Sequence, residues 1–494
     1  MSLLLCFAGA PGPVARAQGQ PPRGPSEVEA ALERWDDAGL AALARDEGDA
    51  ALRALAGGAG DFLAGRYREA EERLSGLARE PAATPEARGV GQHLLEKAGA
   101  WRLVTGTLHR ELLVEGVELL APPAEAPLLR PFVQEVLDAT KQAFPDAWDG
   151  VARPGLRVVI LPREEAFSMV SDLQDADVLG AGVRGVMLYR TVFVLSPSAV
   201  HSGYDWQRVL AHELLHALIR TTARGPLPVW FDEGMAWTLD SVWRTGKPRS
   251  PGAVDRGLLA AAARGRSLHS WTVLESSFGR TGSPREARLA FVQAGVAFRV
   301  ILDAAGPDAG WNLCRSAGEG RDFDTVLKEI TGQPPQRLRR RAESAWSTPG
   351  SRADLSAARI RFDLESDPDG IAAQDRMSLA DLVWGRGHPA EALRILQGIG
   401  DEELRAMPSW ALRAGRLLLE LGRPEEAAAV VAPALEMAED DSQLVLARAL
   451  AYERVGDRDG ARGLLEQALR LQPFAADLRV RLLKLGGGLD DRER

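Results

Sequence analysis

The sequence is poor in the residues that several function classes require. It holds two cysteines, Cys6 and Cys314, in 494 residues. Neither a disulfide framework nor a thiolate zinc site can be built from two, so a bound metal has to rely on nitrogen and oxygen ligands. Positive charge is not in excess. The formal net charge is −9, and the densest basic run, Arg337–Arg341 (RLRRR), is short enough to read as a solvated helix face. Nothing electrostatic therefore points to nucleic acid. No run approaches the roughly 20 apolar residues of a membrane span, so the mature chain is expected to have no transmembrane segment.

What is present is a globular composition, 45% apolar and 26% charged. A chain of 494 residues is too long for one compact core and predicts two to four domains. The N-terminus (MSLLLCFAGAPGPVARAQGQ) carries a short apolar run, Leu3–Ala10, and a small-x-small pattern at Ala15-Arg16-Ala17. This resembles a secretory signal peptide over 1–17, without the positive start. It predicts export to the periplasm or the extracellular space. Leu5 is a poor residue before a lipidated Cys6, so lipoprotein anchoring is not the expectation. Cleavage after Ala17 would leave Cys314 alone.

Residues 18–108 read as helical, with apolar residues three and four apart. Across 109–346 the texture changes. Arg157–Pro162 (RVVILP) is a short β-branched run, and Val186–Pro197 (VMLYRTVFVLSP) reads as one long strand, with a helical stretch between. Alternating strands and helices argue for a mixed α/β domain. Gly180–Gly185 (GAGVRG) matches a dinucleotide-binding pattern, but a helix precedes it and a strand follows, the reverse of what such a site needs. The stretch 347–370 reads as a linker.

Beyond it, residues 371–485 hold three copies of Gly-x4-Ala: Gly387–Ala392, Gly422–Ala427 and Gly456–Ala461. Each opens a new apolar helix pattern, and the spacings are 35 and 34 residues. A helix–turn–helix period of this length resembles the tetratricopeptide repeat. The resemblance implies a helical solenoid that binds a partner protein. Gly65–Ala70 has the same spacing near the other end.

The chemistry concentrates in Val209–Arg220 (VLAHELLHALIR). Residues four apart share a helix face, so His212 and His216 can direct both imidazoles at one ion. Glu213, about 100° further round, can stand beside the metal without ligating it. With seven histidines such a motif arises by chance in roughly one chain in a hundred. The accidental reading weakens because a third ligand is available. Pro226 and Pro228 break the helix, a second helical stretch follows, and Glu233 lies 17 positions after His216. A helix, a turn and an adjacent antiparallel helix return a carboxylate to the metal at about this separation. Two imidazoles, a carboxylate and a water make a tetrahedral catalytic zinc site.

HELLH followed by PVWFDEGMAW resembles the gluzincin metallopeptidases, and in particular the peptidase-MA-like domain. Pro228, Trp230, Glu233, Gly234 and Ala236 match the second half of that pattern. The resemblance implies an α+β zincin-like domain over 109–346: a small mixed sheet with an edge strand along the cleft, and active-site helices. All-α regions flank it. It implies one Zn²⁺ held by His212, His216 and Glu233, Glu213 as general base, and a peptide or protein substrate. Phe291 stands where many members carry a tyrosine that donates to the oxyanion. Tyr189 and His269 are the substitutes to examine.

Asp240 is the candidate carboxylate behind a ligand imidazole, and Asp232 reads as a charge at a helix N-terminus. Two other readings stay open. One takes Glu286 as the carboxylate ligand. The other is an inactive zincin-fold scaffold whose repeats act as a protein-interaction adaptor.

Overall fold

The apolar runs in the middle of the chain assemble into one mixed sheet. The computed structural model describes residues 3–6, 24–45, 48–114, 116–152, 155–171, 183–223, 226–276, 278, 283–317, 321–364 and 367–486. The strands are β1 (Leu3–Cys6), β2 (His109–Leu112), β3 (Val117–Ala121), β4 (Leu156–Leu161), β5 (Val183–Leu188) and β6 (Thr191–Leu195). Their order is β1-β5-β6-β4-β3-β2. β6, β4 and β3 run parallel, with Val159 opposite Phe193, while β5 returns antiparallel on β6. Every residue of β4 and β6 is buried, as for strands covered on both faces.

Val186–Pro197, expected as one long strand, is instead the heart of a hairpin. Leu188 pairs with Thr191, and Tyr189 takes the turn at φ 52°, in the left-handed region. An uninterrupted apolar pattern does not reveal such a turn, because neither turn residue is a glycine, proline, asparagine or aspartate. β1 pairs in parallel with the outer edge of β5. The rest of 1–17 lies outside the described residues, as do 172–182, which include the first half of the glycine-rich stretch Gly180–Gly185.

Helices over 25–105 cover one face of the sheet and share its core. The Trp101 indole donates to the Val170 carbonyl at 2.8 Å, and Trp101 stacks edge-on against Phe193 at 4.9 Å. Arg157 reaches back to the Leu63 carbonyl at 2.9 Å, and Arg190 to that of Trp35 at 2.7 Å. The other face carries the helix Trp206–Ala223. Among the described residues no single helix is long and apolar enough to cross a membrane.

Within the stretch expected as a linker, Arg352–Phe362 is a helix that opens on a capping box between Ser351 and Asp354. It packs on helix Ala253–Gly265 at Gly257, where a Cβ would lie 1.8 Å from the Asp354 carbonyl oxygen. Gly257→Ala should therefore force the two helices apart. Overpacking of this kind costs about 1–3 kcal/mol, and thermal unfolding of the variant checks it.

The C-terminal helices form a second core. Helix pairs such as Pro408–Glu420 with Pro424–Met437, and Ser442–Val455 with Arg458–Leu471, pack against each other through short turns. Gly387, Gly422 and Gly456 take those turns at φ 83°, 73° and 91°, where a side chain would be strained. Ala392, Ala427 and Ala461 are fully buried at the crossings. Gly65, at φ 78°, and buried Ala70 repeat the arrangement near the N-terminus. The C-terminal helices also touch the middle of the chain directly. The Trp206 indole donates to the Arg470 carbonyl at 2.9 Å, the Ser442 amide to Ser202 at 2.9 Å, and the Gln472 amide to Val200 at 2.8 Å.

Candidate metal centre

The histidine helix, Trp206–Ala223, is apolar nearly all round, and from Val209 to Ile219 every residue is buried. A helix of that composition belongs in a core, and this one carries its polar side chains inward. His212, Glu213, His216 and Glu233 are each at most 1% exposed. The next helix, Val229–Leu239, starts after Pro228 and brings Glu233 in its second turn. Gly234 sets how closely it can approach its neighbour. A Cβ there would lie 2.3 Å from the Ala294 carbonyl oxygen of helix Pro284–Ala305.

The three expected ligands converge. The Nε2 atoms of His212 and His216 are 3.0 Å apart. Glu233 Oε2 lies 3.6 Å from the first and 3.5 Å from the second. One donor atom from each falls within 4.8 Å of the others, a group that could hold a metal ion. The chemistry of the donor set fits a divalent cation. His216 Nδ1 donates to Asp232 Oδ1 at 2.9 Å, which leaves the Nε2 lone pair facing inward. His212 Nδ1 faces Asp240 Oδ2 at 3.8 Å. Buried electron-pair donors aimed at one point repel unless a cation lies among them.

Charge in the centre is divided sharply. Burial alone would raise Glu233, but His216 and His212 outweigh it and hold the carboxyl down at about 2. Glu213 goes the other way: burial pushes it up to about 7 against the pull of His216 and His212. Burial would lower His212, yet Asp240 and Glu233 raise it. One carboxylate thus stays ionised, as a ligand must, while its neighbour is poised to exchange a proton near neutrality.

Two participants were not legible as such. Asp232, read as a helix-end charge, is the closer orienting carboxylate; Asp240 stands further from its imidazole. A sequence separation of 16 between Asp232 and His216 gives no local signal. Gly185 on β5 is the other. A Cβ there would lie 2.9 Å from Glu213 Oε1 and 2.6 Å from Val209 Cγ1, so a side chain at this position would intrude on the Glu213 carboxylate. Asp232→Asn should weaken divalent-cation binding by about 10–100-fold, the usual cost of losing such a partner; competition against a chelator measures it.

The remaining candidates lie elsewhere. Glu286 is exposed in the first turn of helix Pro284–Ala305, outside the metal group. Tyr189 packs its ring against Phe62 at 5.2 Å and Trp101 at 6.0 Å. His269 Nε2 donates to the Glu286 carbonyl at 3.0 Å. Neither is placed as an oxyanion donor. Tyr204 donates to the Leu195 carbonyl, Tyr67 stacks with Phe62 and Trp101, and Tyr452 accepts from Arg448. Beside the centre stands Phe291, its ring edge-on to His212 at 6.1 Å.

No protein-family model matches this chain, and no curated protein does. Among solved structures, yeast LTA4 hydrolase in complex with bestatin aligns at a TM-score of 0.35 and 12% identity, over 76% of this chain and 65% of that one. Native yeast LTA4 hydrolase aligns at 0.31 and 11%, over 76% and 64%. Native leukotriene A4 hydrolase from Saccharomyces cerevisiae aligns at 0.31 and 10%, over 76% and 64%. The chain thus spans about 65% of the length of the first of these. At such scores the likeness is coarse, and the site stands on its own geometry.

Proposed function

We propose that this chain is an exported zinc-dependent metallopeptidase of the gluzincin type. The observation that carries the reading is the convergence of His212, His216 and Glu233 donor atoms within 4.8 Å, with Glu213 next in sequence to a ligand. Zinc held by these three residues would supply Lewis acidity toward a carbonyl oxygen and toward water. Glu213 takes a proton from the water that attacks the peptide carbonyl carbon. As the carbon–nitrogen bond breaks, it returns that proton to the leaving amine nitrogen. Its pKa of about 7 suits both transfers. Asp232 fixes the His216 ring throughout.

The substrate lies extended along the outer edge of β5, where backbone groups can pair with it. That this edge accepts a strand is supported by its pairing with Leu3–Cys6. Removal of residues 1–17 on export frees the edge. The C-terminal helices act as tetratricopeptide-like repeats and hold a partner or substrate protein; their left-handed glycines and buried alanines support this.

Metal analysis of the purified chain beside His216→Ala tests the reading. About one zinc per chain is expected, with little in the variant, and peptide hydrolysis lost with it. Equal zinc in both would sink the proposal. Phe291 in place of a hydroxyl donor favours a second reading, a zinc-holding scaffold without turnover. Losing one oxyanion donor costs about 10²–10³ in rate, so slow hydrolysis fits the first reading and none at all the second.

A further inference from the structure

The metal group is closed off. His212, Glu213, His216 and Glu233 are at most 1% exposed, yet a centre that acts on a peptide has to admit one. The side on which β5 could do so is already taken. β5 has β6 on its inner edge and β1, Leu3–Cys6, on its outer edge. That outer pairing is parallel, with Leu4 opposite Gly185, Leu5 opposite Val186 and Cys6 opposite Met187. Gly185 is the position at which a Cβ would lie 2.9 Å from Glu213 Oε1. The Leu4 backbone therefore lies one strand spacing, about 4.8 Å, from the residue of β5 that packs against the Glu213 carboxylate. β1 also runs beside the histidine helix and beside helix Pro284–Ala305, whose Phe291 ring stands edge-on to His212 at 6.1 Å. The edge of β5, the histidine helix and the Phe291 helix thus border four residues of the chain's own N-terminal stretch.

An open strand edge offers unpaired N–H and C=O groups to any extended chain, and one chain at a time can use them. A peptide that reaches Glu213 along β5 has to take the place that Leu3–Cys6 holds. We infer that this segment is an intramolecular latch: it occupies the peptide-accepting edge and keeps the centre shut to other extended chains for as long as it stays attached. The inference rests on reading that edge as the substrate side, and it adds a regulatory role for the leader. Attachment makes the competition unequal, because the segment is always within reach while a substrate has to arrive from solution. Cleavage after Ala17 by another peptidase is then the activating event. It consumes one water, leaves a carboxylate on Ala17 and an amino group on Gln18, and lets the leader diffuse away.

Leu4→Pro together with Leu5→Pro, in the full chain, breaks the pairing without removing the segment. Successive residues turn their backbone groups to opposite sides of a strand, so one of the two prolines takes an amide donor out of the ladder. The probe is a fluorescent peptide of residues 2–9 bearing Cys6→Ser, with two lysines added for solubility, read by anisotropy. It is expected to bind the variant at least about tenfold more tightly than the parent, which corresponds to an edge free in no more than about a tenth of parent molecules. Without peptide, amide exchange over 183–188 should be faster in the variant. A chain that starts at Gln18 gives the same comparison should the prolines disturb folding. Equal affinity for parent and variant, binding to neither, or exchange that the prolines leave unchanged would each overturn the inference. Hydrolysis of casein at equal zinc reads the centre separately. The variant should outpace the parent by at least about tenfold, and equal cleavage by both would also overturn the latch. If neither cleaves casein but the tighter binding and faster exchange hold, the peptidase reading fails and the latch stands.

Discussion

On the proposed function, Glu213→Gln should retain zinc and lose peptide hydrolysis by about 10²–10⁴-fold in kcat/KM, the range over which a positioned acid–base group contributes. The substitution is nearly isosteric, so the packing between the histidine helix and β5 is kept. The residue is not among the three converging donors, so metal content should match that of the parent. A fully buried carboxyl with its pKa raised by burial to about 7 is also costly to ionise, and a neutral amide removes that cost. The melting temperature should therefore hold or rise while activity falls. Zinc content, thermal unfolding and initial rates on one preparation separate these effects. An unchanged rate in a zinc-loaded variant would remove Glu213 from the chemistry.

The second large effect is on stability. Asp255 is 2% exposed and is bound by Arg288 at 2.8 Å and by the Gly252 amide at 3.2 Å, with Arg249 Nη2 at 3.9 Å. Arg249 is itself so buried that its pKa falls to about 10. Asp255→Ala would leave two arginines without their shared counter-charge. Breaking a buried pair in this way costs about 3–5 kcal/mol, and denaturant unfolding measures it. The pH dependence has a definite sign. Burial would raise the Asp255 pKa, but Arg288 and Arg249 outweigh it, so the folded value lies below the usual 3.8. A carboxylate with a depressed folded pKa stabilises above the unfolded value and loses that contribution as pH falls through the folded one. The gap between parent and variant should thus be constant near neutrality and narrow only below about pH 3.8. A gap that stays constant through the acid range would mean that Asp255 is not the ionised partner.

Local pattern carried the metal group far. Ligands one helical turn apart, and a third on the helix after a proline break, are short-range arrangements, and His212, His216 and Glu233 do converge. The Gly-x4-Ala spacing carried the helix crossings for the same reason: a left-handed turn and a close approach each demand a particular small residue. What pattern missed was long-range or atypical. The β5–β6 turn has tyrosine at its left-handed position, so no turn residue marks it. Asp232 reaches His216 across a loop. Arg157 and Arg190 read as ordinary charges, yet they pin the sheet to carbonyls of the N-terminal helices. Phe291 was placed near the centre by the resemblance alone, and it is the structure that puts its ring beside His212.

The indole of Trp206 gives the C-terminal helices a hold on the helix that carries both histidines. It opens the histidine helix, and His212 follows six residues on, about 9 Å along the axis. The Arg470 carbonyl that receives its N–H belongs to the C-terminal helices. These helices are therefore not a detachable tail. Cutting the chain ahead of residue 371 would strand that donor and expose the flank of the very helix that presents both imidazoles. A fragment trimmed to the middle of the chain alone would be a poor proxy for the whole, and anything that shifts those helices would tug on the mounting of both imidazoles.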